Sequence, residues 1–68
     1  MPAPTNERQA LERERTELPG QLAAREAELS ATPATSLARR ERLTWQLRRV
    51  QKRLAEIEAR LAAINAEL

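Results

Sequence analysis

The feature that most constrains the fold is a series of aliphatic side chains in the second half of the chain, recurring at alternating spacings of four and three residues. In a helix of about 3.6 residues per turn this spacing puts all of them on one face, the heptad pattern of coiled coils. The eight residues, which we call the seam, are Leu43, Leu47, Val50, Leu54, Ile57, Leu61, Ile64 and Leu68. Because such a face has to be covered by another helix, the seam predicts self-association or binding to a helical partner.

Length and composition exclude several ways of stabilising the fold. A chain of 68 residues forms at most one small domain, in the size range where a single core supplies little net stability without disulfides, metals or oligomerisation. The sequence has no cysteine and no histidine, which excludes disulfides and Cys/His catalysis and argues against a zinc site. We therefore predict no metal and no cofactor, and we expect the chain to form a homodimer or a larger homo-oligomer.

A thinner apolar pattern predicts a first helix over residues 7–30. Its face consists of Leu11, Leu18, Leu22 and Leu29, with Arg15 and Arg25 at the remaining positions. Long arginine stems pack along apolar surface while their charged ends stay in water, so the two arginines weaken the pattern without ending it. Residues 1–6 contain two prolines and are predicted to form an extended lead-in.

Pro19 and Gly20 interrupt this first helical pattern. Proline removes a backbone donor and clashes with the carbonyl four residues earlier, and glycine has a low helix propensity. We predict a kink at residues 19–20. It is either a hinge or docking notch, or, as we favour, a local irregularity that lets the helix wrap around its partner.

A turn rich in serine, threonine and proline is predicted at residues 31–36. Thr32 followed by Pro33 is a suitable start for the second helix, and Thr35 or Ser36 is the alternative cap. Short connections join antiparallel neighbours.

The predicted fold is therefore all-α: a single domain in which helices 7–30 and 33–68 form an antiparallel, coiled-coil-like hairpin, assembled into a dimer or four-helix bundle. Small side chains on the other helix faces allow two interpretations, a second contact face or simply good helix formers at exposed positions. They are Gly20, Ala24, Ala27 and Ala31, then Ala55, Ala59, Ala62 and Ala66.

Catalysis is not indicated, and we predict no catalytic residues. The sequence has no aspartate, one glycine and no phosphate-binding loop. Its glutamates are predicted to lie on helix surfaces, solvated or paired with arginine. Pairs with the favourable spacing of four residues are Arg8 with Glu12, Arg13 with Glu17 and Glu56 with Arg60.

The most informative polar cluster surrounds Trp45, the only aromatic residue. With Leu47 at heptad position a, Trp45 takes position f and points away from the first helix. An exposed tryptophan among arginines is typical of an interface hot spot. The predicted binding residues for a larger protein are Trp45, Arg42, Arg48, Arg49, Lys52 and Arg53, and two further arginines, Arg39 and Arg40, extend the basic segment.

Other interpretations of this cluster stay open. The basic segment, residues 39–53, could bind nucleic acid, although the net charge of only +2 and the lack of a known nucleic-acid-binding motif favour a protein partner. Trp45 could instead be buried in a dimer, with the basic segment neutralised by the acidic first helix, or the chain could be a structural subunit of a larger particle. No membrane binding is predicted, and we expect a location in the cytoplasm or in a particle assembled there.

Overall fold

The computed structural model describes the backbone of residues 3–67 and the side chains of residues 6–67. Two helices, α1 (Ala3–Ala31) and α2 (Leu37–Glu67), pack against each other and are joined by residues 32–36. No strand is present in this part of the chain, so the all-α fold of two packed helices is confirmed. The hairpin is a rod of 53 × 15 × 14 Å, with a turn end and an open end.

Helix α1 begins earlier than predicted. It starts at Ala3, so the extended conformation expected for residues 3–6 is not observed. Pro4 is compatible with this start, because the first backbone N–H groups of a helix have no intrahelical acceptor and proline lacks only that group. The rest of the expected lead-in, Met1 and Pro2, lies outside the described residues.

Pro19 does not break α1, which continues to Ala31. Pro19 cannot donate to the carbonyl of Arg15, but both residues are exposed, so water is available to that carbonyl. A Cβ atom at Gly20 would meet no atom within 4 Å outside the local helix backbone, and no glycine of the described chain has a positive φ. The helix therefore accommodates both residues, and the kink at residues 19–20 stays a prediction.

The C-terminal end of α1 is closed by Thr32 and by a side chain from α2. The Thr32 N–H donates to the carbonyl of Leu29 (3.1 Å) and its Oγ1 donates to the carbonyl of Glu28 (2.7 Å). Arg40 Nη1 donates to the carbonyls of Thr32 (2.9 Å) and Leu29 (3.3 Å). Because the last carbonyls of a helix have no intrahelical donor, Arg40 satisfies this end of α1 from the neighbouring helix.

Helix α2 begins at Leu37 and not at the predicted Pro33. The Ser36 N–H donates to the carbonyl of Pro33 (3.0 Å), and the Ser36 carbonyl accepts the first helical bond, from the Arg40 N–H (3.0 Å). Ser36, an alternative cap in the sequence analysis, thus takes the N-cap position. Thr32 is unsuited to that role here because its N–H and hydroxyl both bond back to α1.

The core lies between the helices. The largest buried cluster consists of Leu11, Leu18, Ile57, Leu61 and Ile64, and Leu43 is buried closer to the turn. Ile57 has no exposed surface. Three other seam residues, Leu47, Val50 and Leu54, are only half-buried, and Leu68 lies outside the described residues. Helix α1 therefore covers the seam well towards the open end and incompletely at mid-length.

Two bidentate ion pairs set the antiparallel register. Arg60 Nε and Nη2 donate to the carboxylate of Glu7 at 2.8 Å each, and Arg53 donates in the same way to Glu14 at 2.7 and 2.9 Å. The second pair lies seven residues further along α1 and seven residues earlier on α2 than the first. Two further steps give Gln21 opposite Gln46 and Glu28 opposite Arg39. We call these four pairs the ladder and each pair a rung. The heptad spacing keeps all four on one side of the hairpin.

Candidate interaction surface

Trp45 lies on the exposed surface of α2, close to the turn end. Its side chain is 60% exposed, and the only other large apolar side chain this exposed in the described chain is Leu37 (74%). The guanidinium of Arg48, three residues further along α2, lies 5.9 Å from the centre of the indole ring. At an exposed site such a cation–π contact stabilises by about 0.5–1 kcal/mol. It holds a flat aromatic surface and a positive charge together on the outside of the hairpin.

The predicted basic residues have different surroundings. Arg53 pairs with Glu14, so part of this binding set is already engaged with α1, and Arg40 is engaged at the end of that helix. The remaining members are exposed and form no ion pair within residues 6–67: Arg39, Arg42, Arg48, Arg49 and Lys52. The expected neutralisation of the basic segment by α1 therefore extends, in ion pairs, to Arg53 alone.

Two open grooves run between the helices on the ladder side. The first, about 580 Å³, lies at mid-length; Leu18 and Val50 contribute apolar surface to it, and Gln21 and Gln46 line it. The second, about 460 Å³, lies nearer the turn and is lined by the Glu28 and Arg39 rung together with Arg42 and Leu43. The two rungs that carry no cross-helix ion pair therefore both line grooves, and Arg53 of a formed rung also borders the first one.

The two cross-helix ion pairs shift the pKa values of the groups that form them. A hydrogen bond from Arg60 lowers the pKa of Glu7 below its ordinary value of 4.5, and one from Arg53 does the same for Glu14. The pKa of each arginine is raised in turn, chiefly by the hydrogen bond to its glutamate. Both pairs are exposed, so they contribute more to register than to stability.

The ion pairs differ from those expected within single helices. Arg8 and Glu12 do pair, at 3.7 Å. Arg60, however, binds Glu7 on the other helix in place of Glu56, because two parallel hydrogen bonds to one carboxylate are stronger than a single contact along the helix. Arg13 and Glu17 form no ion pair. The ladder is not among the predicted features, although heptad-spaced acidic residues on one helix and basic residues on the other were its visible signal in the sequence.

No group of three or more His, Cys, Asp or Glu side chains within the described residues could hold a metal ion. Neither helix, over the residues described, combines the length and apolar character needed to cross a bilayer. Comparisons with protein-family models, curated proteins and solved structures found no match to this chain.

Proposed function

We propose that this chain is a non-enzymatic protein–protein interaction module, a small helical hairpin that self-associates through its seam and binds a larger protein through Trp45 and the basic residues around it. It would act as an adaptor, an inhibitor or an assembly subunit, in the cytoplasm or in a particle assembled there. The single observation that carries the proposal is the 60% exposure of Trp45 beneath Arg48. Tryptophan and arginine are the residues most enriched at interface hot spots.

The surroundings of Trp45 support a partner over a solvated surface. Unpaired Arg42, Arg48 and Arg49 lie three or four residues from Trp45 along α2, so all can reach the same partner as the indole. Single exposed apolar side chains are normal on protein surfaces, but aromatic residues and arginine together are enriched at interfaces relative to the rest of the surface.

The test is affinity capture of the full chain from extract, followed by mass spectrometry, with wild type compared with Trp45→Ala. We expect the variant to keep its helicity and its mass in solution and to lose at least tenfold in affinity for the principal captured protein, as truncation of a hot-spot residue does. Full-strength capture by a folded Trp45→Ala variant would contradict the proposal.

Leu37→Ala is the matched control, because Leu37 is also a large exposed apolar residue near the turn but has no ring of unpaired arginines at helical spacing. Its capture profile should equal that of wild type. Equal losses in both variants would indicate nonspecific adhesion of apolar surface, and the role assigned to Trp45 would be wrong.

A second candidate function, nucleic-acid binding by residues 39–53, is favoured by one observation: five of the seven basic residues there form neither an ion pair nor a hydrogen bond within residues 6–67. Neutralising several phosphates releases counterions, so such binding weakens steeply as salt rises. Capture repeated after nuclease treatment separates the two functions. Loss of captured material with nuclease, and salt-dependent binding to a random DNA or RNA oligonucleotide, would favour nucleic acid.

A further inference from the structure

The hairpin exposes more surface than a compact protein of its size. Its accessible surface is 5291 Å², whereas a compact monomer of 7.7 kDa exposes about 4300 Å². Its radius of gyration is 15.7 Å, against about 11 Å for a globule of this length. The excess surface is comparable to the roughly 800 Å² that each partner contributes to a standard interface. A second molecule is therefore needed to give this chain the burial of a compact domain.

The incompletely covered apolar surface is concentrated at mid-length. Leu47, Val50 and Leu54 are half-buried, and Val50 lines the larger groove with Gln21 and Gln46. No hydrogen bond joins the two glutamines. Their amides therefore lie in a groove to which Leu18 and Val50 contribute apolar surface, and they have hydrogen-bonding capacity left for a partner.

Charge is distributed unevenly along the rod. By the register of the ladder, Leu18 lies level with Arg49 at mid-length, which divides the hairpin into a turn half (residues 18–49) and an open half (residues 3–17 and 50–67). The turn half has six basic and three acidic residues; the open half has six basic and seven acidic residues. A second copy in the same direction places like halves together, and a reversed copy places the positive half on the negative one.

One pair of residues on the groove side distinguishes the two orientations. Arg42 lies seven residues from Arg49 towards the turn, and Glu56 lies seven residues from it towards the open end. Both are exposed and line the grooves. In a reversed pair Arg42 of one copy comes level with Glu56 of the other, twice by symmetry. In a parallel pair each meets its own equivalent. Arg49 and Glu17 lie at mid-length, where each comes level with its own equivalent in both the parallel and the reversed pair. They therefore do not distinguish the two orientations.

We propose that a second copy of this chain packs antiparallel on the ladder side of the hairpin, covering the mid-length groove and placing the turn half of each copy against the open half of the other. This rests on the self-association part of the proposed function and goes further, because it specifies the orientation and the contacting side. A two-fold axis passes through mid-length, and the assembly is a four-helix bundle.

The first experiment measures orientation by spin-label distances, for which the cysteine-free chain is well suited. Labels on the full chain at Ala34→Cys mark the turn, and labels at Gln51→Cys mark mid-length; both side chains are exposed. The antiparallel pair predicts a distance between turn labels close to the 53 Å length of the rod and a much shorter distance between mid-length labels. Close turn labels would overturn the proposal in favour of a parallel pair.

The second experiment is a charge swap read out by sedimentation equilibrium. Glu56→Arg should weaken dimerisation about tenfold, because symmetry makes the Arg42 repulsion occur twice. Adding Arg42→Glu should restore it. Glu58→Arg is the matched control, since Glu58 is an exposed acid on the same helix that does not line the grooves, and it should have little effect.

Three further results would contradict the proposed dimer or its orientation. A Glu56→Arg variant that dimerises like wild type, or a double variant that is not restored while its helicity is intact, would overturn the antiparallel contact. A wild-type chain that stays monomeric at high micromolar concentration would overturn the dimer itself. Capture through Trp45 is measured separately, so its failure and the failure of the dimer are distinguishable.

Discussion

The two halves of the rod use the same kind of helix in different ways. In the open half both rungs of the ladder are bidentate ion pairs and the core around Ile57 is dry. In the turn half the two rungs are a pair of glutamines and an acidic–basic pair that makes no ion pair across the helices. Grooves, exposed Trp45 and several exposed cations lie nearby. The cross-helix ion pairs are therefore concentrated in the half farthest from the turn. The turn end is tethered covalently, and Trp45 and several cations there are exposed to solvent.

The largest effect on the free energy of unfolding should come from truncating a buried side chain in the core of the open half. Ile57→Ala removes a fully buried side chain, a change that costs about 2–5 kcal/mol of unfolding free energy. Leu47→Ala removes a half-buried side chain of the turn half and should cost about 1 kcal/mol. Urea denaturation followed by circular dichroism, at one fixed protein concentration, gives both values. Equal losses would mean that the two halves are packed alike.

That asymmetry was only partly accessible from the sequence. Heptad spacing is a local property of each helix, so the two helices, their antiparallel pairing and the outward direction expected for Trp45 followed from counting residues. Which glutamate meets which arginine depends on register, and register is a relation between helices. Arg53 was for that reason grouped with the binding residues, although Glu14 engages it.

The turn illustrates a different reason for error. Thr32 and Pro33 have the residue types of a helix start, and propensity alone favours them. The Thr32 hydroxyl instead bonds back to Glu28, and Arg40 adds hydrogen bonds to the same helix end from across the hairpin. Such tertiary contacts override local preference, and a single sequence does not reveal them.

A middle-sized effect tests how the turn half is held. Arg40→Met keeps a long apolar stem but removes the donors to the carbonyls of Leu29 and Thr32. Charged hydrogen bonds to partly buried carbonyls make the expected loss about 1 kcal/mol, a decrease in Tm of about 4–8 °C for a domain of this size. Arg39→Met, an exposed neighbour without such bonds, is the control and should change Tm much less.

The Arg40 result bears directly on the comparison of halves. A Tm decrease as large as that of Ile57→Ala would mean that the turn end depends on tertiary contacts as much as the open end does. No decrease would mean that the covalent turn is sufficient and that Arg40 is as free for binding as its neighbours.

The smallest effect is the acid sensitivity of the open half. The pKa values of Glu7 and Glu14 are lowered from 4.5 in the folded chain by hydrogen bonds from Arg60 and Arg53. A carboxyl whose pKa is lower in the folded than in the unfolded state stabilises fully above the unfolded value, and that stability is lost as pH falls through the folded value. Thermal melts should therefore give a Tm that is level from pH 6 to 8, where a chain without histidine has no side chain titrating near its ordinary pKa, and that falls below about pH 4.5.

Two double variants test which carboxyl groups cause this decrease in Tm at low pH. Glu7→Gln with Glu14→Gln removes the two ionisable rungs, so the decrease in Tm between pH 6 and pH 3 should be smaller than in wild type. Glu17→Gln with Glu58→Gln removes two exposed carboxylates that form no ion pair within residues 6–67 and should leave the wild-type decrease in place. If the two double variants behaved alike, the ladder would not be what distinguishes the open half, and its register would have to be set by the packing of Leu11, Leu18 and Ile57 alone.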